Sequence, residues 1–164
     1  MLRAAIGTIA LLLLTSPGAA AQGNPWCAAI DKAQVAALLG GPAPAPLPLG
    51  PSQDEDAGGL RTMCTFPAGQ KALIVMRIEF KSAQEAQKKV GDEWLKNQAG
   101  GDDAKYVEEK GIGDRAFWAK TQEGASFVIL KGAKVYFVAL GGPGAKAETQ
   151  KAGLMKLAQS LVGS

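Results

Sequence analysis

The sequence predicts an α+β domain, with a mainly antiparallel sheet of five to six strands and three helices packed on it. Strand-like segments follow one another in hairpins joined by short glycine-containing turns. Segments with helical spacing stand between and after these runs, and do not alternate one by one with single strands. Hydrophobic residues make up 47% of the chain and charged residues 20%, a composition typical of globular proteins. The 164 residues fit one domain, which we place at residues 22–164.

Residues 1–21 resemble a secretory signal peptide. Arg3 gives a positive start, residues 4–14 carry no charge, and Ala19, Ala20 and Ala21 form a small-residue cleavage site. The uncharged run is shorter than the roughly 20 residues that a spanning helix needs, although an uncleaved membrane anchor is the alternative. We expect cleavage after Ala21 or a neighbouring residue, no stable membrane insertion afterwards, and a soluble protein that is periplasmic or secreted.

Cys27 and Cys64 are the chain's two cysteines, and in an exported protein such a pair is most simply a disulfide. A redox or metal role is disfavoured, because the spacing is not C-x-x-C and the chain has no histidine. The cross-link would enclose the proline-rich segment 41–59, which we predict to be a long mobile loop favouring extended polyproline conformation.

In the first half of the mature chain, residues 31–39 are predicted to form a helix that Asp31 caps and Gly40 ends. Strands at 61–66 and 71–80 should form a hairpin through the turn at 67–69. A capping box at 82–85 then opens a second helix, which ends at Gly100 and Gly101.

The second half is predicted to hold strands at 105–109, 115–120, 126–131 and 134–140, followed by a closing helix at 147–162. The strands at 126–131 and 134–140 are apolar on both faces, which is typical of central strands with something packed on each side.

Gly111, Gly113 and Asp114 belong to a G-x-G-x-x-A sequence, the pattern of a dinucleotide-binding turn. That chemistry needs a helix after the glycines, whereas residues 117–120 are aromatic and strand-like. We therefore predict a tight turn in which the glycines accept positive φ and Asp114 accepts hydrogen bonds from backbone amides.

Several function classes are disfavoured by what the chain contains. The lack of histidine removes histidine-based triads and the usual near-neutral acid–base catalyst. A net charge of +3 is too mild for a nucleic-acid binder. The acidic clusters at 54–56, 102–103 and 108–109 lack the ligand alternation of a calcium loop and are predicted to be solvated surface. We expect no catalytic residue, no cofactor and no metal site.

The order of these features resembles a group of small bacterial exported proteins of unknown function, many of them actinobacterial lipoproteins. The shared features are Cys27 near a first helix ending Leu38-Leu39-Gly40, a low-complexity gap, Cys64 opening a strand, and the turn at 111–116 before a hairpin and a C-terminal helix. The group is similar to PsbP-like and extracellular sensor domains, which implies an antiparallel sheet with helices packed on it, used for binding. This chain lacks the lipidated cysteine of the lipoproteins.

We therefore expect a non-catalytic module of the cell envelope that binds a small hydrophobic ligand between sheet and helix, or an envelope protein. One alternative is a hydrolase that uses two carboxylates flanking a cleft. Another is a structural or assembly protein of the envelope. The proline-rich segment 41–59 is either a contact element or a spacer.

Overall fold

A computed structural model of the chain describes residues 24–100, 105–121, 124–143, 145 and 147–163. The predicted signal peptide and its cleavage site lie outside the described residues. The described elements are α1 (Pro25–Ala29), α2 (Lys32–Leu39), β1 (Leu47–Gln53), β2 (Leu60–Ala68), β3 (Lys71–Glu79), α3 (Ala83–Lys89), α4 (Asp92–Gly100), β4 (Lys105–Glu108), β5 (Arg115–Thr121), β6 (Gly124–Lys131), β7 (Lys134–Gly141) and α5 (Ala147–Val162).

The strands form one antiparallel sheet in the order β1-β2-β3-β7-β6-β5-β4. Two meanders, β1 to β3 and β4 to β7, meet where β3 pairs with β7 and Val75 lies opposite Val138. Strands β3, β7 and β6 are therefore central. This agrees with the prediction that the strands at 126–131 and 134–140, apolar on both faces, lie inside the sheet.

Helices cover both faces of the sheet. We call the side carrying α1, α2 and α5 the α5 face, and the side carrying α3 and α4 the α4 face. Successive residues of β3 point to opposite sides, so Leu73 and Val75 pack under α2 and α5, whereas Met76 and Ile78 belong to the cluster beneath α3 and α4. Each face thus has its own hydrophobic core.

The α+β class with an antiparallel sheet is confirmed, but the predicted numbers of strands and helices are wrong. The described residues hold seven strands and five helices, against five to six strands and three helices. The additional strand is β1, inside the segment predicted to be a mobile loop, where Leu47 lies opposite Thr65 and Gln53 opposite Leu60. Prolines are tolerated there because β1 is an edge strand, and an edge strand leaves half of its backbone N–H groups facing solvent.

The additional helices have local causes. In α1, Pro25 occupies the first turn and the Asn24 side chain accepts a hydrogen bond from the Trp26 backbone N–H at 3.0 Å. The helix predicted from residue 82 to residue 100 is broken at Val90, whose φ of −106° and ψ of 86° leave the helical region. Two short helices, α3 and α4, therefore replace one long helix.

Among the described residues, none of the helices is both long enough and apolar enough to span a bilayer.

Candidate functional site

The two cysteines lie in the core of the α5 face. The sulfur atoms of Cys27 and Cys64 are bonded, their Cα atoms are 5.6 Å apart, and the residues are 3% and 0% exposed. The bond holds α1 against the middle of β2. The Arg77 guanidinium stacks over the ring of Trp26, 4.8 Å from its centroid, and adds a second attachment of α1 to the sheet.

The glycine turn at 111–114 is hydrogen-bonded to the loop between β6 and β7, at one end of the sheet. Gly111 and Gly113 have positive φ of 82° and 65°. The Gly132 backbone N–H donates to the Asp114 carboxylate at 2.6 Å, and this bond, with Lys131 nearby, lowers the pKa of Asp114 below its ordinary value although burial opposes the shift. Strand β5 begins at Arg115, directly after the turn, so the helix that a dinucleotide site needs is not at this position.

The acidic clusters are not brought together. Asp54 is 6% exposed, which corrects the prediction of a fully solvated cluster at 54–56. Its carboxylate accepts hydrogen bonds from the Ala57 backbone N–H at 2.7 Å and from Arg61 at 3.3 Å, so it organises the turn before β2. Glu109 forms an ion pair with Lys151, and the cluster at 102–103 lies outside the described residues.

No group of three or more histidine, cysteine, aspartate or glutamate side chains in the described ranges is arranged to hold a metal ion. The Asp114 turn is bonded to the loop between β6 and β7, and the disulfide joins α1 to β2. The most distinctive concave surface lies elsewhere.

A groove of about 470 Å³ lies on the α4 face, beside the C-terminal end of α4. Its floor consists of small and apolar residues of β3, β7 and β6, and no charged side chain lines it within the described part of the chain. The lining includes two glutamine amides, from Gln70 and Gln98, and the strand residues Ala72, Ile74, Ser126, Phe137 and Ala139.

Helix α4 forms the wall of the groove and is held in place at both ends. At its start, Asp92 pairs with Arg115 of β5. At its end, the Ser126 hydroxyl of β6 donates a hydrogen bond to the Ala99 carbonyl, one of the carbonyls that the end of a helix leaves without an intrahelical partner. These two contacts hold α4 in place beside the strand residues that form the floor of the groove.

The sheet beyond the groove stays uncharged and mostly apolar as far as its edge. Residues directly opposite each other on neighbouring strands share a face, so the register defines two parallel rows on the α4 face. The floor row is Ser126, Ala139, Ile74, Thr65 and Leu47. The wall row is Val128, Phe137, Met76, Met63 and Leu49.

Both rows run from β6 beneath α4 to the edge strand β1, and neither contains a charged residue. At the outer end, Leu47 and Leu49 are 57% and 59% exposed, whereas Met76 nearer the centre is 8% exposed. Helices α3 and α4 pack on β5, β6, β7 and the C-terminal half of β3. The rest of the α4 face, formed by β1, β2 and the N-terminal half of β3, is left largely open. We call this open area, groove and rows together, the apolar track.

A second concave surface, of about 290 Å³, lies between α2 and α5 on the opposite face. Its lining includes both Asp31 and Lys156, and Asp31 is already used as the cap of α2, where it accepts a hydrogen bond from the Ala33 backbone N–H at 2.8 Å. Helix packing and capping therefore account for this polar crevice.

The disulfide cysteines and the turn residues singled out from the sequence do not line the apolar track, but Leu47 and Leu49 belong to the segment 41–59 named as a candidate contact element. The missed residues carried one usable pattern: residues 72, 74, 76 and 78 form an uninterrupted apolar face of β3, and residues 135–140 are apolar throughout. That pattern predicts burial, but it does not say which stretch a helix leaves open.

No protein-family model matches the chain, and no curated protein shows significant similarity to it. The fold and the track together define a class, an α+β domain with helices on both faces of a seven-stranded antiparallel sheet and one face partly open. The resemblance to small exported bacterial proteins stays a prediction.

Proposed function

We propose that this protein is a non-catalytic binding module of the cell envelope, and that its ligand is a small, uncharged, predominantly apolar molecule held in the groove beside α4. The observation that carries the proposal is an uncharged lining beside a fixed helix wall. Transferring apolar ligand surface from water to such a lining is favourable by roughly 25 cal/mol for each Å² buried. A charged ligand would lose its hydration there without gaining a described ionic partner.

The polar groups at the groove fit an orienting role. Gln70 and Gln98 each offer an amide that can both donate and accept hydrogen bonds. A few such groups among apolar residues are the usual composition of a small-molecule site. They accept a ligand with an apolar body whether its polar group lies beside them or elsewhere, because Gln70 is exposed and Gln98 half-buried and both amides stay in contact with water.

Size favours a small molecule over a protein partner. The track crosses four strand intervals of about 4.8 Å and is about two rows deep, which gives a patch of about 19 Å by about 14 Å, or roughly 270 Å². A stable protein interface buries roughly 800 Å² on each partner. The track alone therefore covers about a third of such an interface, whereas a groove of about 470 Å³ is within the range for small ligands.

The proposed location is the periplasm or the cell exterior. A buried disulfide supports it, because structural disulfides persist in oxidising compartments and are rare in the cytosol. The signal-like sequence at 1–21 supports it independently. Mass spectrometry of the protein recovered from its native host tests this part: a mature chain that begins at or near Gln22 is expected, and an intact residue 1–21 segment with free thiols would contradict it.

The binding proposal is tested with N-phenyl-1-naphthylamine, an uncharged dye that fluoresces in apolar surroundings. Saturable binding to the wild-type protein is expected. Ala139→Phe fills the floor of the groove and should weaken binding at least tenfold. Ala152→Phe is the matched control, because Ala152 is exposed on α5 and far from the groove, and it should leave binding unchanged. Absence of saturable binding, or equal loss in both variants, would refute the proposal.

A further inference from the structure

We propose that the ligand is a linear aliphatic chain that lies across the strands, with its tail under α4 and its polar end at the exposed edge strand β1. This inference rests on the proposed function and specifies the shape of the ligand. Its basis is the register of the sheet, which aligns the floor row and the wall row into one continuous track.

The side chains of the floor row are small at its β6 and β7 end, where it lies in the groove. Ser126 and Ala139 are small, and the neighbouring positions Gly141 and Ala72 add little height. The Ser126 hydroxyl is already engaged by the Ala99 carbonyl, and the amides of exposed Gln70 and half-buried Gln98 stay in contact with water, so a hydrocarbon at this end buries no unpartnered polar group. A slender apolar tail fits this space.

The wall row is taller and contains two methionines. Phe137, Met76 and Met63 lie side by side on β7, β3 and β2, directly next to the floor row. Methionine side chains are unbranched and adapt to irregular apolar shapes. Such a row can follow an alkyl chain along its length.

The track ends openly at β1, where Leu47 closes the floor row. Because Leu47 is 57% exposed, a polar head group at this end would stay in water. The distance from β6 to β1 is four strand intervals, or about 19 Å. An extended alkyl chain advances by about 1.25 Å for each carbon–carbon bond of about 1.5 Å, so about 15 carbons match the track.

The other concave surfaces give weaker support for a ligand site than the apolar track does. The α2–α5 crevice is lined by Asp31, which already caps α2, and by Lys156, whereas the lining of the cavity beside Asp92 also includes the charged residues Glu93 and Lys96. The track also differs from them in its two ends, because α4 covers one end and the other is open at β1. The length of the bound alkyl chain is therefore the quantity to measure.

The experiment uses octyl, decyl, dodecyl and tetradecyl maltosides, each kept below its micelle-forming concentration, and measures displacement of N-phenyl-1-naphthylamine from the full-length mature protein. Each added methylene should tighten binding about two- to fourfold, fourfold being the limit for complete burial. The series should keep rising up to the tetradecyl chain, because neither row contains a charged residue along its whole length.

Leu47→Ser tests the outer end. It should leave octyl maltoside binding unchanged, because eight carbons extend about 10 Å, and weaken tetradecyl maltoside binding several-fold, because fourteen carbons extend about 17 Å of the roughly 19 Å track. Leu60→Ser is the matched control, since Leu60 is also exposed, at 44%, but belongs to the α5 side of β2. Both positions lie at the surface, so both variants should fold.

The outcomes separate the two proposals. If the dye and all maltosides fail to bind, the proposed function fails together with this inference. If the maltosides bind but affinity stops rising after octyl, or if Leu47→Ser behaves like Leu60→Ser for every chain length, the linear-chain inference is overturned and the groove remains a site for compact ligands.

Discussion

Reducing the Cys27–Cys64 disulfide should destabilise the protein by about 4 kcal/mol. The two cysteines are 37 positions apart, and the loop-closure relation for a loop of this size gives that value at 25 °C. Reduction leaves both sulfur atoms in the core, so packing changes little and the effect arises from the greater freedom of the unfolded chain. With a urea m-value of about 1.5 kcal/mol/M, the unfolding midpoint should fall by about 2.5 M.

The assay is urea unfolding followed by circular dichroism, with and without a thiol reductant. A variant with serine at both Cys27 and Cys64 controls for effects of the reductant itself and should not respond to it. A midpoint change below about 0.5 M in the wild-type protein would refute the reasoning, because it would show that the cross-link does not restrict the unfolded chain. Faster amide exchange of α1 than of β6 after reduction is expected, since α1 is attached through Cys27.

Three further substitutions test the fold. Asp31→Ala removes the cap of α2 and should lower the free energy of unfolding by about 1 kcal/mol in denaturant titrations. Gly124→Ala would place a methyl group against the Leu140 backbone carbonyl and should cost about 1–3 kcal/mol or prevent folding, whereas Gly91→Ala, with open space around it, should be nearly neutral in the same titrations. Folding lowers the pKa of Asp114, so its stabilising contribution is present above the ordinary value of 3.8 and is lost as pH falls below it. Asp114→Asn should therefore be slightly less stable than wild type at pH 7 and equal to it near pH 2, and a gap that persists in acid would contradict this.

The edge strand β1 could not be predicted from its composition. Prolines at 46, 48 and 51 indicate polyproline conformation when the segment is considered alone. Its pairing is supplied by β2, where Pro48 lies opposite Cys64, the residue that the disulfide joins to α1. Pairing with β2 therefore determines the conformation of β1, and the local sequence does not. By contrast, the central strands were predictable, because a strand that is apolar on both faces must be covered on both sides.

The apolar track depends on a helix break that the sequence pattern concealed. An unbroken helix over residues 82–100 would be about 28 Å long. The break at Val90 leaves α3 and α4 with 7 and 9 residues, or about 10 Å and 14 Å. Their contacts are mainly with β5, β6 and β7, so much of the outer half of an apolar face stays open. The capping box at Ser82 was recognisable in the sequence, and the Ser82 Oγ accepts a hydrogen bond from the Glu85 backbone N–H at 3.1 Å. The position of the break at Val90 could not be recognised in the same way.

The most direct test of the binding site is a titration of the isotope-labelled protein with dodecyl maltoside, followed by backbone amide chemical shifts. The largest changes are predicted along the apolar track, at Ala72, Ile74, Ala139 and Thr65, with little change at Gly153 between α2 and α5. Changes concentrated at Gly153, or no saturable change along the track, would contradict the claim that the open half of the α4 face is the binding site.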